Sequence, residues 1–217
     1  MFVCRRLLLI LLFLQVVADA THAQLDTIHW LPPMHAREEW GPQYLYLSTP
    51  EKDSFVVRIR DGAGKVLTTA VISNAQPYRH YLGNGSDTPV LIPEYQLHKT
   101  QMEKGLVLDG PKKFYAYFRV HANSGNHAGD LTCKGRAALG TEFRIGHLLQ
   151  AVDDRNRRSN FAGVMATEDS TLVTLSDFHP AADFRVGGID VPPGGPVSVT
   201  LHSGQSVVFS TYINQNE

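Results

Sequence analysis

The sequence predicts an all-β protein made of two consecutive antiparallel β-sandwich-like units, the second incomplete. Three observations carry that expectation. Short runs rich in Val, Ile, Thr, Phe and Tyr recur between Gly, Pro, Asn and Asp, which suits half-buried strands bounded by turns. Helical periodicity is scarce, and only Pro93–Gly105 could hold a short helix or a turn-rich connection. Finally, Leu45–Asp61 (LYLSTPEKDSFVVRIRD) is echoed by Gly163–Asp177 (GVMATEDSTLVTLSD). Each copy reads as an apolar strand, a Thr/Glu/Asp-rich turn and an alternating strand that ends in Asp.

Residues 1–23 are set apart from the fold. Arg5 and Arg6 precede an apolar run over Leu7–Val17, and Thr21-His22-Ala23 supplies small residues before a cleavage point. This is the pattern of a secretory signal peptide, and the run is short of the ~20 residues a membrane span needs. The protein is therefore expected to be secreted or held at the cell surface, with no membrane insertion after cleavage. The net charge of −1 gives no basis for attracting nucleic acid. Removal of Cys4 with the leader leaves Cys133 as the one cysteine. An internal disulfide is then impossible, and stability has to come from core burial.

The first unit is expected over 24–121. Its strands are placed at Tyr44–Ser48, Ser54–Arg60, Val66–Ser73, Arg79–Leu82, Gly105–Leu108 and Phe114–His121. A connecting segment covers 122–140, polar and glycine-bearing at first, then LTCKGRAALG. The second unit occupies 141–217, with strands at Glu142–His147, Phe161–Ala166, Thr171–Ser176, Val197–His202 and Ser206–Tyr212; VPPGGP at Val191–Pro196 is an internal loop. Lys104–Val120 (KGLVLDGPKKFYAYFRV) reads as a hairpin without a counterpart in the second unit. The chain is thus expected to be a fragment of a longer modular protein, with another such hairpin after Glu217. Until that hairpin is present, the second unit keeps an open sheet edge.

No residue set announces catalysis, a cofactor or a metal. Glu168 and Asp169, with Thr167 and Thr171, could hold calcium, but a turn in which Asp caps backbone amides explains them as well. Lys52, inside the matching Glu51–Asp53 cluster, argues against a shared metal role. His121, His127 and Cys133 lack the close pairing of zinc ligands. Asp153, Asp154, Arg155, Arg157 and Arg158 read as a self-neutralising exposed loop. Gly83–Ser86 is a tight turn and no nucleophile elbow; within it Asn84-Gly85-Ser86 forms a glycosylation triplet. Trp30, Trp40, Tyr44 and Tyr46 either close the end of a sandwich core or, on an exposed face, contact a protein or carbohydrate.

Two segments point to a family. KGRAALGTEF at Lys134–Phe143 and VMATEDSTLVT at Val164–Thr174, with the Lys104–Tyr117 stretch, resemble the IgGFc-binding-protein N-terminal domain family over nearly all of residues 24–217. Pro111-Lys112-Lys113 departs from the order usual there. The resemblance implies a non-catalytic, adhesin-like module of an exported cell-surface protein, of the kind found in bacterial, Bacteroidetes-type, gliding-motility-associated chains. Its partners would be an extracellular protein or glycan and the remainder of its own longer chain. Antibody binding belongs to particular animal members, and no residue here carries it over. The competing expectation is an accessory domain of a secreted carbohydrate-active enzyme, which would need two carboxylates facing one cleft.

Overall fold

The computed structural model describes residues 24–35, 40–122, 128–146, 160–179, 182–186, 189–191 and 194–213. The leader at 1–23, His127 and the charged loop at 153–158 lie outside them. The described chain is all β, with two short 3-10 turns at Glu94–Gln96 and Gly135–Ala138. Pro93–Gly105 therefore resolves as a turn-rich connection.

The first unit is organised by one strand. β1 (Asp26–Leu31), β2 (Met34–His35), β3 (Trp40–Ser48), β4 (Phe55–Asp61), β5 (Val66–Ile72), β6 (Tyr78–Gly83) and β7 (Leu91–Ile92) precede β8, which runs 17 residues from Leu106 to Ala122. The expected hairpin at Lys104–Val120 is thus a single strand. Its first part, Leu106–Asp109, lies between β1 and β4. Its second part pairs with β3 and with β9 (Ala128–Thr132). Gly110–Lys113 stands between the two pairings without a ladder partner from β3 or β4. Pro111, which has no N–H to donate, is tolerated there. Ala128–Thr132 consequently belongs to the first sheet and is not part of a link.

Alternation places the core. On β8 Phe114, Ala116, Phe118 and Val120 point inward, against Leu45 and Leu47 of β3 and Val57 and Ile59 of β4. Cys133 joins them at 2% exposure, its amide donating to the Ala116 carbonyl. Burial pushes its thiol up to about 12, which leaves it protonated and unreactive at neutral pH.

The second unit repeats the plan. β10 (Asn160–Met165) and β11 (Thr171–Leu175) come first; β12 (Ala182–Val186) and β13 (Ile189–Val191) follow, then β14 (Val197–Leu201) and β15 (Ser206–Ile213). β10 pairs with β15, and β11 with β14. In the first unit β3 and β4 make the same two pairings with the two parts of β8. Val197–Ile213 therefore takes the place of Leu106–Ala122, which corrects the reading that Lys104–Val120 has no counterpart in the second unit. Of the strand expected at Glu142–His147, the described part, Glu142–Gly146, is outside any ladder, and His147 lies outside the described residues. No ladder hydrogen bonds from β10 or β14 reach it.

The units meet backbone to backbone. Gln101 and Ser206 exchange amide-to-carbonyl hydrogen bonds of 2.7 and 2.9 Å, and the His98 amide donates to Val208 at 2.9 Å. Ile92, Leu97 and Val208 form a small shared core. Gly62, after β4, and Gly204, between β14 and β15, approach so closely that a Cβ on either would lie 2.2 or 2.0 Å from the other's carbonyl oxygen.

Two histidines, His29 inside the first unit and His98 at the junction, have surroundings that disfavour their charged forms. His29 is fully buried, donates from Nε2 to the Phe114 carbonyl at 2.8 Å, and meets the Phe114 ring edge-on. His98 packs against the rings of Phe184 and Phe209. Burial lowers the pKa of both below 6.5, outweighing the hydrogen bonds that oppose it. Since the unfolded chain takes up these protons first, their contribution is intact above pH 6.5 and is lost as pH falls below it. Urea unfolding midpoints are expected to drop steadily from pH 7.5 to pH 5; a flat or rising midpoint would contradict this.

Candidate functional site

The outward face of the β6-β3-β8-β9 sheet collects tyrosine and arginine. The period-2 alternation that sends Leu45, Leu47, Ala116 and Phe118 inward sends Tyr44, Tyr46, Tyr115, Tyr117 and Arg119 outward. Strand order then sets the neighbours. Tyr81 stands opposite Tyr44, Tyr44 opposite Arg119, and Arg119 opposite Asp130; in the adjacent row Arg79, Tyr46, Tyr117 and Thr132 follow one another.

The rings touch across strands. Tyr44 and Tyr81 have centroids 5.6 Å apart, Tyr46 and Tyr117 5.8 Å, and Tyr44 and Tyr46 6.3 Å. The Arg79 guanidinium lies 5.0 Å over the Tyr44 ring, a contact of about 0.5–1 kcal/mol at an exposed site. Tyr81 is 53% exposed, and both arginines are exposed. Loss of water about the Tyr117 hydroxyl, with the hydrogen bond and charge of Asp130, raises its pKa above the usual 10. It stays protonated and able to donate throughout the neutral range.

These rings hold one another at fixed positions while leaving their edges and hydroxyls open. Such a surface can bury apolar ring area and offer phenol and guanidinium donors to a partner at small entropic cost. Among the described residues, Asp130 places a carboxylate beside Arg119 and Tyr117 on this face.

Of the residues the sequence singled out, Tyr44 and Tyr46 lie on this face, whereas Trp40 packs against the core. Tyr81, Tyr115, Tyr117, Arg79 and Arg119 went unnoticed, although the i, i+2 spacing of aromatic and cationic residues was the available signal. Glu168 and Asp169 form a turn: the Asp169 carboxylate accepts from the Ser203 amide at 3.0 Å, and the Thr171 hydroxyl donates to the Glu168 carbonyl at 2.8 Å. In the first unit Lys112 reaches Asp53 at 3.4 Å and Glu51 at 3.9 Å. Both acidic turns thus tie a strand pair to the strand opposite. Gly83–Ser86 is likewise held as a turn, by the Gln43 amide on the Gly85 carbonyl and by the Gly85 amide on Trp40. His121 is on β8 and Cys133 faces the core, so the two do not converge. Among the described residues no three His, Cys, Asp or Glu side chains cluster as a metal site, and no helix is long and apolar enough to cross a membrane.

Comparison with known families decides the affiliation of the C-terminal part. Residues 129–217 match the family described as IgGFc binding protein. This part of the chain is similar to that family. The IgGFc-binding segment begins in β9 and takes in the whole second unit, including both motifs at Lys134–Phe143 and Val164–Thr174. It is narrower than the resemblance implied, since Lys104–Tyr117 and the tyrosine face lie almost entirely ahead of it. No curated protein and no solved structure matches the chain. The family affiliation points to a binding module.

Proposed function

We propose that the chain is a non-catalytic binding module of an exported, modular cell-surface protein, with an adhesin-like role. It meets an extracellular protein through the Tyr44, Tyr46, Tyr81 and Tyr117 face. The carrying observation is that face itself: tyrosines in mutual contact, flanked by Arg79 and Arg119, on a sheet whose other side is the core. Tyrosine and arginine dominate the binding energy of protein interfaces. A protein partner is favoured over a glycan because neighbouring rings are tilted 51° and 59° to one another. Successive sugar rings stack best on coplanar platforms.

The test is a binding screen of the purified chain against arrayed extracellular proteins, run in parallel with a Tyr46→Ser, Tyr81→Ser variant. With about 2 kcal/mol lost at each hot-spot ring, affinity for a true partner is expected to fall at least 100-fold. The thermal midpoint should barely move, because both side chains face out. A partner bound equally by the two proteins would place the contact elsewhere.

A further inference from the structure

Among the described residues the second unit leaves uncovered one strand edge that the first unit covers. In the first unit Leu106–Asp109 of β8 has β4 on one side and β1 on the other. β14 holds the corresponding place beside β11, and among the described residues no strand pairs with its other edge. That edge reads Val197-Ser198-Val199-Thr200-Leu201. It carries no charge, proline or bulge, the devices that keep exposed edges from pairing.

Core cover is missing at the same place. Val197 and Val199 are only half buried, as are Val173 and Leu175 beside them on β11. β5, the outer strand of the first unit, differs: its inward Ala70 and Ile72 are at 1% and 0% exposure. An added strand on β14 would satisfy backbone groups and also complete an apolar layer, which an added strand on β5 would not.

The chain contains a segment suited to that place. Thr141–Gly146 (TEFRIG) alternates apolar and polar residues as a half-buried strand does, yet it lies in no ladder. Phe143 is 63% and Ile145 50% exposed. The segment precedes β10 as β1 precedes β3, so the internal repeat gives it the position whose first-unit counterpart lies on β8.

We propose that Glu142–Gly146 closes the β14 edge of another copy of this chain, two copies exchanging the segment reciprocally. Within one copy the segment is exposed and lies in no ladder, so the strand is assigned to a partner copy. A two-fold exchange satisfies the β14 edges of both copies at once in a closed pair. Phe143 and Ile145 fall on one side of the added strand and cover Val197 and Val199, while Glu142 and Arg144 face solvent. This assembly is independent of the tyrosine face.

The experiment combines light scattering with amide hydrogen exchange on the full chain and on a Phe143→Asp, Ile145→Asp variant, both substitutions being at exposed positions that the fold of one copy does not need. The wild type is expected to be a dimer whose Val197–Leu201 amides exchange at least tenfold more slowly than those of the variant, which should be a monomer. A wild-type monomer with unprotected β14 amides would overturn the proposal. A monomer whose β14 is protected, and loses protection in the variant, would show that the strand comes from the same copy and would overturn the exchange. A dimer unaffected by the substitutions would also overturn it.

Discussion

Replacing Gly204 by alanine is expected to destabilise the protein by about 3–5 kcal/mol, a severe effect for one methyl group. Gly204 has φ +82°, where an L side chain costs ~1–2 kcal/mol. Its new Cβ would lie 2.0 Å from the Gly62 carbonyl oxygen. That oxygen belongs to backbone in the turn after β4 and cannot swing away as a side chain would, so relief requires the two units to separate. Separation in turn strains the Gln101–Ser206 hydrogen bonds and opens the Ile92, Leu97 and Val208 cluster. Gly64 is the control. It has φ +85° in the same turn, with open space where its Cβ would go, so Gly64→Ala should cost only the conformational part, about 1 kcal/mol. Urea unfolding of both variants checks the difference, and equal losses would mean that the two turns do not bear on each other.

The contrast between these glycines shows what the sequence discloses and what it withholds. Alternation made β3, β4, β5, β10, β11, β14 and β15 legible, because period-2 burial is a property of each strand alone. The repeat at Leu45 and Gly163 was legible too, and so was the family signature within 129–217. Strand partnership was not. Ala128–Thr132 reads as a loop because its glycine and aspartate disfavour strands; it extends only because β8 offers it a ladder. Lys104–Val120 reads as a hairpin because Gly110-Pro111 normally turns a chain. Here the pair marks the point where β8 changes partners. The reading of a hairpin without a counterpart in the second unit followed from that one misreading. The tyrosine face was half legible: Tyr44 and Tyr46 were noticed, but Tyr81 and Tyr117 join them only once β6 and β8 are known to flank β3. Likewise nothing in the local sequence distinguishes Gly204 from Gly64, because the difference lies in what a distant turn presents to each.

Phe114→Ala is expected to cost about 3–5 kcal/mol, the range for emptying a fully buried aromatic site. Phe114 is at 0% exposure where β8 passes from its β1 and β4 pairing to its β3 and β9 pairing. Its ring lies 4.8 Å from His29, and its carbonyl accepts the His29 Nε2 proton. The substitution leaves the carbonyl in place, so the hydrogen bond can survive while the ring that shields the imidazole is lost. Water entering the cavity would relieve the burial that depresses the His29 pKa. The pKa should therefore rise toward 6.5, and the stability lost between pH 7.5 and pH 5 should shrink in this variant relative to wild type. Phe118→Ala, at 1% exposure on the same strand but, among the described residues, in no ring contact with an imidazole, should cost a similar amount and keep the wild-type pH slope. Unfolding midpoints across that pH range, together with the His29 titration followed by NMR, separate the two. If both phenylalanine variants keep the full pH slope, the Phe114 ring is not what keeps His29 neutral.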